Sequence, residues 1–292
     1  MKIYQVDAFA ATLFQGNPAA VVPLPAWLPD ALMQNIAMEN NLAETAFIVP
    51  QQKPGAARPD SGGDAYDYLI RWFTPTVEVE LCGHATLAAG HVVFRHLEFK
   101  GEVVVFRSLH SGELRVSKEE EGAAAVSPAT DGTDRSIDGK LVLDFPANPP
   151  SLVEPSGQEV IFEGLGIQNR ALYKGRHDYM IVMDDQGQVE ALNPDFKILA
   201  GSGGRGVVVT APGKKSDFVS RCFYPQSGID EDPVTGSAHT MMTPYWAGRL
   251  GKDRLSAIQL SRRKGFLDCR LAGDRVFMGG YARTFLQGEI FL

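Results

Sequence analysis

One acidic residue, Glu44, lies where a charge is costly to bury. The run LAETAFIV at residues 42–49 predicts a strand in which Glu44 shares one face with Ala46 and Ile48, and both faces are largely apolar. A carboxylate there lies either at an exposed strand end or in a low-dielectric site. In the second case burial favours the protonated form and proton exchange near neutral pH becomes accessible. Glu44 is therefore the candidate general acid/base.

Two similar turns, far apart in the sequence, supply the other candidate residues. The motif RWFTP at residues 71–75 is echoed by RCFYP at residues 221–225. A small-residue helix start follows each motif: ELCGHAT at residues 80–86 and DEDPVTGSAH at residues 230–239. The repetition predicts two copies of one fold. Free N–H groups in the first helical turn attract negative charge, so we expect the paired helix starts to bind an anion such as a carboxylate.

Each polar residue near these turns has a structural and a functional interpretation. His84, after Gly83, is either a satisfied half-buried histidine or a group that donates to, or relays protons for, a bound carboxylate. Asp232, ahead of Gly236 and Ser237, either caps its own loop or contacts the substrate. Asn17, in the Gly-Asn-Pro turn at residues 16–18, either forms that turn or directs its amide at the ligand.

Histidine and cysteine spacing gives no metal signal. His84 and His239 each lie near a repeated turn, but no HxH or HExxH pattern occurs, and we predict no metal site. Cys82, Cys222 and Cys269 form neither a disulfide framework nor a ligand pattern, and all three are interpreted as packed small residues.

Composition restricts the class of protein. The 292 residues suggest two domains, 44% hydrophobic and 22% charged content is typical of a globular protein, and a net charge of −7 disfavours nucleic acid as a partner. Neither a signal peptide nor a run of about 18 apolar residues is apparent, so we expect a cytoplasmic protein without membrane association.

The predicted elements form an α+β chain. Strands are expected at residues 2–8, 42–49, 68–73, 141–146, 179–184, 206–210 and 218–224, and helices at residues 30–41, 83–97 and 237–249. Residues 51–64 are predicted to be a mobile hairpin loop and residues 118–139 a linker. We therefore expect an N-terminal domain over residues 1–117, a second domain over 118–280, and a terminal strand pair over 281–292 that returns to the first domain.

These motifs together, with GNPA at residues 16–19, closely resemble the PhzF-like (phenazine biosynthesis protein) family across nearly the whole chain. The resemblance implies the diaminopimelate-epimerase-like fold: two pseudo-symmetric domains, each a curled, mostly antiparallel sheet around a central helix, with the active site between them. It also implies no cofactor, no metal and a homodimer.

The same resemblance implies the residue roles. Glu44 matches the family's general acid/base, and His84, Asp232 and Ser237 match residues that line the substrate; we also assign Asn17, Gly83 and Gly236 to substrate binding. The best-known member isomerises a dihydro-hydroxyanthranilate, so the expected activity is a proton-shifting isomerase acting on a small carboxylate. Two alternatives stay open: a racemase or epimerase of an amino or hydroxy acid, and a non-catalytic protein that binds a small acid or a partner. A two-thiol racemase is disfavoured because the second turn carries no counterpart of Cys82.

Overall fold

The chain divides into two compact units. A computed structural model describes residues 1–51, 66–119 and 139–292. The first unit comprises residues 1–144 and 279–292, and the second residues 145–278. The predicted hairpin loop and linker fall almost entirely outside the described residues.

The first unit consists mainly of strands, with two helices between them. They are β1 (Lys2–Ala8), β2 (Asn17–Pro23), α1 (Asp30–Asn40), β3 (Glu44–Pro50), β4 (Tyr68–Phe73), β5 (Glu78–Val79), α2 (Gly83–His96), β6 (Val103–Ser108), β7 (Gly112–Lys118) and β8 (Leu141–Pro146). Strand β8 contains the point where the chain passes into the second unit.

The second unit repeats the plan with more short helices. Its elements are β9 (Ser151–Val153), α3 (Glu159–Leu165), β10 (Leu172–Lys174), β11 (Asp178–Val182), α4 (Gln186–Glu190), α5 (Phe196–Leu199), β12 (Gly206–Pro212), β13 (Phe218–Tyr224), the 3-10 turn Pro225–Ser227, β14 (Ile229–Asp232), α6 (Gly236–Leu250), β15 (Arg254–Gln259), β16 (Gly265–Ala272) and β17 (Arg275–Gly280). The chain ends with β18 (Ala282–Glu289), which belongs to the first unit.

Strand pairing reproduces the predicted duplication. In the first unit β1 pairs antiparallel with β2, β2 parallel with β3, β3 antiparallel with β4, β4 parallel with β6, and β6 antiparallel with β7. In the second unit β10, β11, β12, β13, β15 and β16 pair in the same order and with the same directions. Each unit also has a short hairpin before its long helix, β4–β5 or β13–β14.

The repeated arginine motifs make equivalent contacts in their own units. Arg71 forms a bidentate pair with Glu78 and lies 5.1 Å over the ring of Phe73. Arg221 forms a bidentate pair with Glu231 and lies at the same distance over the ring of Phe223. The sequence echo therefore corresponds to a shared way of joining the two strands of each hairpin.

The long helices are buried as their apolar composition predicts. Helix α2 is buried from Gly83 to Val93 and packs on β1, β2 and β3. Its Gly90 lies so close to β7 that a Cβ atom there would be 2.6 Å from the Val116 side chain. Helix α6, buried over most of its length, packs against β15 and β16. None of the helices in the described ranges is both long and apolar enough to cross a membrane.

The structure corrects two expectations about elements. The chain end is a single strand, not a strand pair: β18 returns to the first unit and pairs antiparallel with β1 from Lys2↔Glu289 to Ala8↔Ala282. The sequence pattern also missed several elements: the three short helices of the second unit, whose four to seven residues are too few to show a helical period, and the strands β2, β5, β6, β7, β9, β10, β14, β15, β16 and β17.

Candidate active site

Glu44 is the first residue of β3, directly after a left-handed turn. Asn41 ends α1 with φ 48°, and β3 then aligns Glu44 with Ala19 of β2. The Glu44 side chain is only 13% exposed. It therefore lies at a strand end, as one alternative held, and is nevertheless mostly covered, as the other required.

A glycine turn places Asn17 in the same region. Gly16 has φ +65°, and a Cβ atom on it would lie 2.1 Å from the carbonyl oxygen of Ala8. Only glycine fits this turn, which starts β2 with Asn17 paired to Ala8. Asn17 is completely buried. The sequence left open whether this residue only forms a turn; its amide lies 3.1 Å, Nδ2 to Nδ1, from His84.

His84 is the centre of the cluster, in the first turn of α2. Its Nε2 lies 3.1 Å from Oε2 of Glu44, and its Nδ1 lies 3.5 Å from Sγ of Cys82. Neither Glu44 Oε2 nor His84 Nε2 makes an aligned hydrogen bond within the described part of the chain. Helix α2 has no side-chain cap, so the first N–H groups, beginning at Gly83, are available to an anion. Asn17, Glu44, Gly83 and His84 are thus brought together.

The Glu44 carboxylate controls the charge of this cluster. Burial, then the Coulombic influence of Glu44, raises the pKa of the Cys82 thiol to about 11. Burial lowers the pKa of His84, but the adjacent Cys82 sulfur and Glu44 carboxylate raise it, and the result lies well above the ordinary value. Because the thiol stays protonated at neutral pH, Glu44 is the charge that favours the imidazolium.

The Asn17 amide is coupled to the protonation state of His84. When Nδ2 faces Nδ1, the amide donates to a neutral ring whose proton is on Nε2, towards Glu44. An imidazolium has N–H groups on both ring nitrogens, so its Nδ1–H would donate either to Sγ of Cys82 or, with the amide turned, to Oδ1 of Asn17.

Three metal-ligand types meet in the cluster, although the sequence spacing predicts no metal. One ligand atom each from Glu44, Cys82 and His84 lies within 4.8 Å of the others. Thiolate, imidazole and carboxylate suit zinc. Zinc binding here would release the proton of the Cys82 thiol, whose pKa burial raises in the metal-free cluster.

In the second unit Asp232 is held by a network of buried polar groups. Thr235 donates its hydroxyl to Oδ2 of Asp232 at 2.5 Å, and Gln259 donates Nε2 to the Asp232 carbonyl. Gln259 also accepts, through Oε1, from the backbone N–H of Thr235. These bonds fix the turn that leads into α6, so Asp232 is at once a candidate substrate contact and a structural part of its own turn.

Gly236 and Ser237 begin α6, and that helix also has no side-chain cap. Oγ of Ser237 accepts a hydrogen bond of 2.9 Å from Arg205, which forms a bidentate pair with Asp178. His239 is fully buried one turn further on, where its Nδ1 lies 2.8 Å from the carbonyl of Thr235. Burial lowers the pKa of His239 to about 4, so it is a neutral structural residue and no equivalent of His84.

Sequence reasoning did not assign Arg205, Asp178 or Gln259. A basic residue inside the glycine-rich stretch at residues 201–206 was a usable signal for Arg205. The three cysteines, by contrast, are buried and free, as predicted.

The fold and the cluster define a class of protein before any family is considered: a duplicated α+β fold in which a carboxylate–imidazole pair lies at an uncapped helix start. Solved structures show the same fold. A probable proline racemase from Agrobacterium radiobacter superposes over 100% of this chain and 93% of its own, with a TM-score of 0.61 and 11% sequence identity. That likeness concerns the fold alone.

Closer relatives identify the family. The model of the family described as phenazine biosynthesis-like protein (PhzC-PhzF) matches residues 6–288. An uncharacterized isomerase of Pseudomonas aeruginosa is 47% identical, with 100% of this chain and 99% of that protein covered. A crystal structure of a PhzF-family phenazine biosynthesis protein from Enterococcus faecalis is 42% identical, with a TM-score of 0.83 over 100% of this chain and 99% of that one. The chain belongs to the PhzF family and is an enzyme of the isomerase class.

Proposed function

We propose that this protein is a cofactor-independent isomerase that moves a proton on a small carboxylate substrate, with Glu44 as the general acid/base. The contact between Glu44 and His84 is the observation that carries the proposal. Their facing atoms are 3.1 Å apart, both are covered, and neither makes an aligned hydrogen bond within the described residues. Unsatisfied buried polar atoms are costly, and they are typical of sites that a ligand completes.

The proposed reaction begins with removal of a proton from a carbon acidified by a neighbouring carboxylate or conjugated system. The Glu44 carboxylate takes this proton, and the electron pair delocalises into the substrate. The same carboxyl group then returns the proton to a second carbon, or to the other face of the first. Atoms and charge balance, and no oxidant or reductant is required.

Donors around the cluster stabilise the negative charge that develops. His84 supplies a ring N–H, and the first turn of α2 supplies backbone N–H groups from Gly83 onward. Asn17 orients the imidazole from the opposite ring nitrogen. In the second unit, we assign Asp232, Gly236 and Ser237 to substrate binding, with the uncapped start of α6 suited to an anionic group.

Hydrogen exchange with solvent tests the assignment of Glu44. Amino-, hydroxy- and cyclohexadiene-carboxylates are incubated with the protein in deuterated water, and deuterium incorporation is measured by mass spectrometry. Wild type is expected to label at least one substrate, Glu44→Gln to label none, and Glu39→Gln, an exposed glutamate of α1, to behave as wild type. Equal labelling by Glu44→Gln rejects the proposal, and the absence of labelling by wild type across the panel favours a non-catalytic binding protein.

Two optical measurements separate double-bond isomerisation from epimerisation. A shift of a double bond changes ultraviolet absorbance, whereas racemisation removes optical rotation without an absorbance change. The protonated state of the Cys82 thiol disfavours a mechanism in which that sulfur acts as a second base. We therefore expect the absorbance change.

A further inference from the structure

Arg205 makes contacts in several directions. It lies just before β12, where its backbone N–H donates to the carbonyl of His177 at 2.8 Å. Its Nε donates to Oδ1 of Asp178 at 2.9 Å, and one terminal nitrogen donates to the other carboxylate oxygen. Asp178 starts β11 and is 2% exposed. The parallel register pairs Asp178 with Gly206, so the strand pairing itself brings the two charges together.

The ring of Tyr224 holds the guanidinium from a further side. The centre of the guanidinium lies 5.4 Å from the ring centroid. Gly206 makes room for the ring, because a Cβ atom at that position would lie 2.1 Å from Cδ1 of Tyr224. Arg205 therefore keeps its orientation without a ligand.

Besides its contacts with Asp178 and Tyr224, Arg205 donates a hydrogen bond to Ser237. The terminal nitrogen that contacts Asp178 also donates to Oγ of Ser237 at 2.9 Å. Since Oγ accepts this bond, the serine proton points to another acceptor. No hydrogen bond donated by that hydroxyl is found within the described parts of the chain, and the Ser237 side chain is neither fully buried nor fully exposed.

We propose that Arg205 is a positioning residue that turns the Ser237 hydroxyl into a hydrogen-bond donor for the carboxylate of the substrate. Arg205 acts through Ser237, and Asp178 acts through Arg205. The inference rests on the proposed function, because it assumes that the start of α6 binds the acid group. It adds two residues, Arg205 and Asp178, whose role is to preset one donor.

Lysine cannot replace this arginine. A planar guanidinium contacts both oxygens of Asp178 and the serine hydroxyl at once, whereas a single ammonium group lacks that fork. Arg221 provides a matched control, because it makes the same bidentate contact with a glutamate, Glu231, and has no contact with Ser237.

A double-mutant cycle tests the proposal. Binding of benzoate, 2-aminobenzoate and L-proline is measured by calorimetry for wild type, Arg205→Lys, Ser237→Ala and the double variant. Each single change is expected to weaken binding about 10-fold, the value of a hydrogen bond to a charged group. The double variant should bind no more weakly than Ser237→Ala, because Arg205 has no partner to act on once the hydroxyl is gone.

Three further variants separate positioning from general structure. Ser237→Thr, which keeps a hydroxyl, should retain most of the affinity, and Arg221→Lys should bind as wild type. Asp178→Asn should weaken binding as Arg205→Lys does, and urea unfolding at the assay temperature identifies any variant that is not folded. With a substrate found by deuterium labelling, Arg205→Lys should raise KM more than it lowers kcat.

Additive losses in the double variant, or unchanged affinity in a folded Arg205→Lys, overturn the proposal. The proposal is also overturned if wild type binds none of the three carboxylate probes, since the Ser237 hydroxyl then has no carboxylate to which it can donate a hydrogen bond. These results differ from a failure of the proposed function, which appears as Glu44-independent labelling or no labelling.

Discussion

Oε2 of Glu44 lies 3.1 Å from Nε2 of His84, and this contact joins the start of β3 to the first turn of α2. The two residues come from separate elements whose positions are fixed by strand register and helix packing. The contact brings a proton acceptor and a ring N–H donor to one place, and this arrangement is the basis of the proposed chemistry.

Replacement of His84 by Gln should lower the rate of deuterium exchange about 10²- to 10⁴-fold, since the imidazole is the polar group that faces Glu44. His110→Gln, at an exposed turn between β6 and β7, serves as the control and should leave the exchange rate unchanged. Comparable rates in His84→Gln and wild type would mean that the histidine has only a packing role.

Chelation should leave the activity unchanged. The proposed proton transfer uses the Glu44 carboxylate and no metal, so EDTA dialysis is expected to have no effect and Cys82→Ala to keep activity within a few-fold. Loss of exchange on chelation, with recovery on addition of zinc, would show that Glu44, Cys82 and His84 bind a metal after all.

Acid should destabilise the protein as the pH falls below about 6.5. Burial, followed by the charges of His96, Arg283 and Arg95, lowers the pKa of His91 to about 3. Burial also lowers the pKa of His239 to about 4. Because the unfolded chain binds these protons first, each histidine removes up to about 1.4 kcal/mol of unfolding free energy per pH unit, from about pH 6.5 down to its folded pKa.

His84 has the opposite sign. Its raised pKa contributes stability that is present below the unfolded value and is lost as the pH rises through the folded value. Urea unfolding at pH 5, 6 and 7 should show a steep slope in wild type and a shallower one in His91→Gln. An identical slope in that variant would exclude His91 as a source of the acid sensitivity.

Gly16→Ala should destabilise the fold more than Gly112→Ala does. Both glycines have positive φ, +65° and +67°, so both changes carry the left-handed backbone cost of about 1–2 kcal/mol. Only at Gly16 does the new Cβ meet an atom, the Ala8 carbonyl oxygen at 2.1 Å; nothing lies within 4 Å at Gly112. Urea unfolding should show the larger loss for Gly16→Ala, and equal losses would rule out the close approach.

Features encoded by neighbouring residues were predictable from the sequence. The start of α2 at Gly83, the bounds of β4 and the start of α1 at Asp30 follow from local propensity and helix-start signals, and they agree with the structure. The duplication was visible because the arginine of each motif keeps the same pair of partners, a glutamate and a phenylalanine. The family resemblance added the expectation that each domain is a curled, mostly antiparallel sheet around a central helix.

Features that depend on distant residues were not predictable. Whether Glu44 is shielded from solvent depends on residues distant in sequence that pack against it. The strand pattern alone therefore could not decide between an exposed strand end and a low-dielectric site. Rules based on residue spacing did not identify Glu44, Cys82 and His84 as a set of possible metal ligands, because Glu44 lies in a different element from the other two. Arg205 was overlooked since its partners, Asp178 and Ser237, lie far away in sequence.

The pairing of β18 with β1 determines which of the two units is completed last during synthesis. The ribosome releases the chain at about 5–20 residues per second, and domains generally fold as they emerge. The second unit is one continuous segment, residues 145–278, and is fully synthesised before the strand that completes the first unit. The unit whose first strand is made before the second unit is therefore completed after it, and a chain that stops before β18 lacks a strand of the unit that carries Glu44.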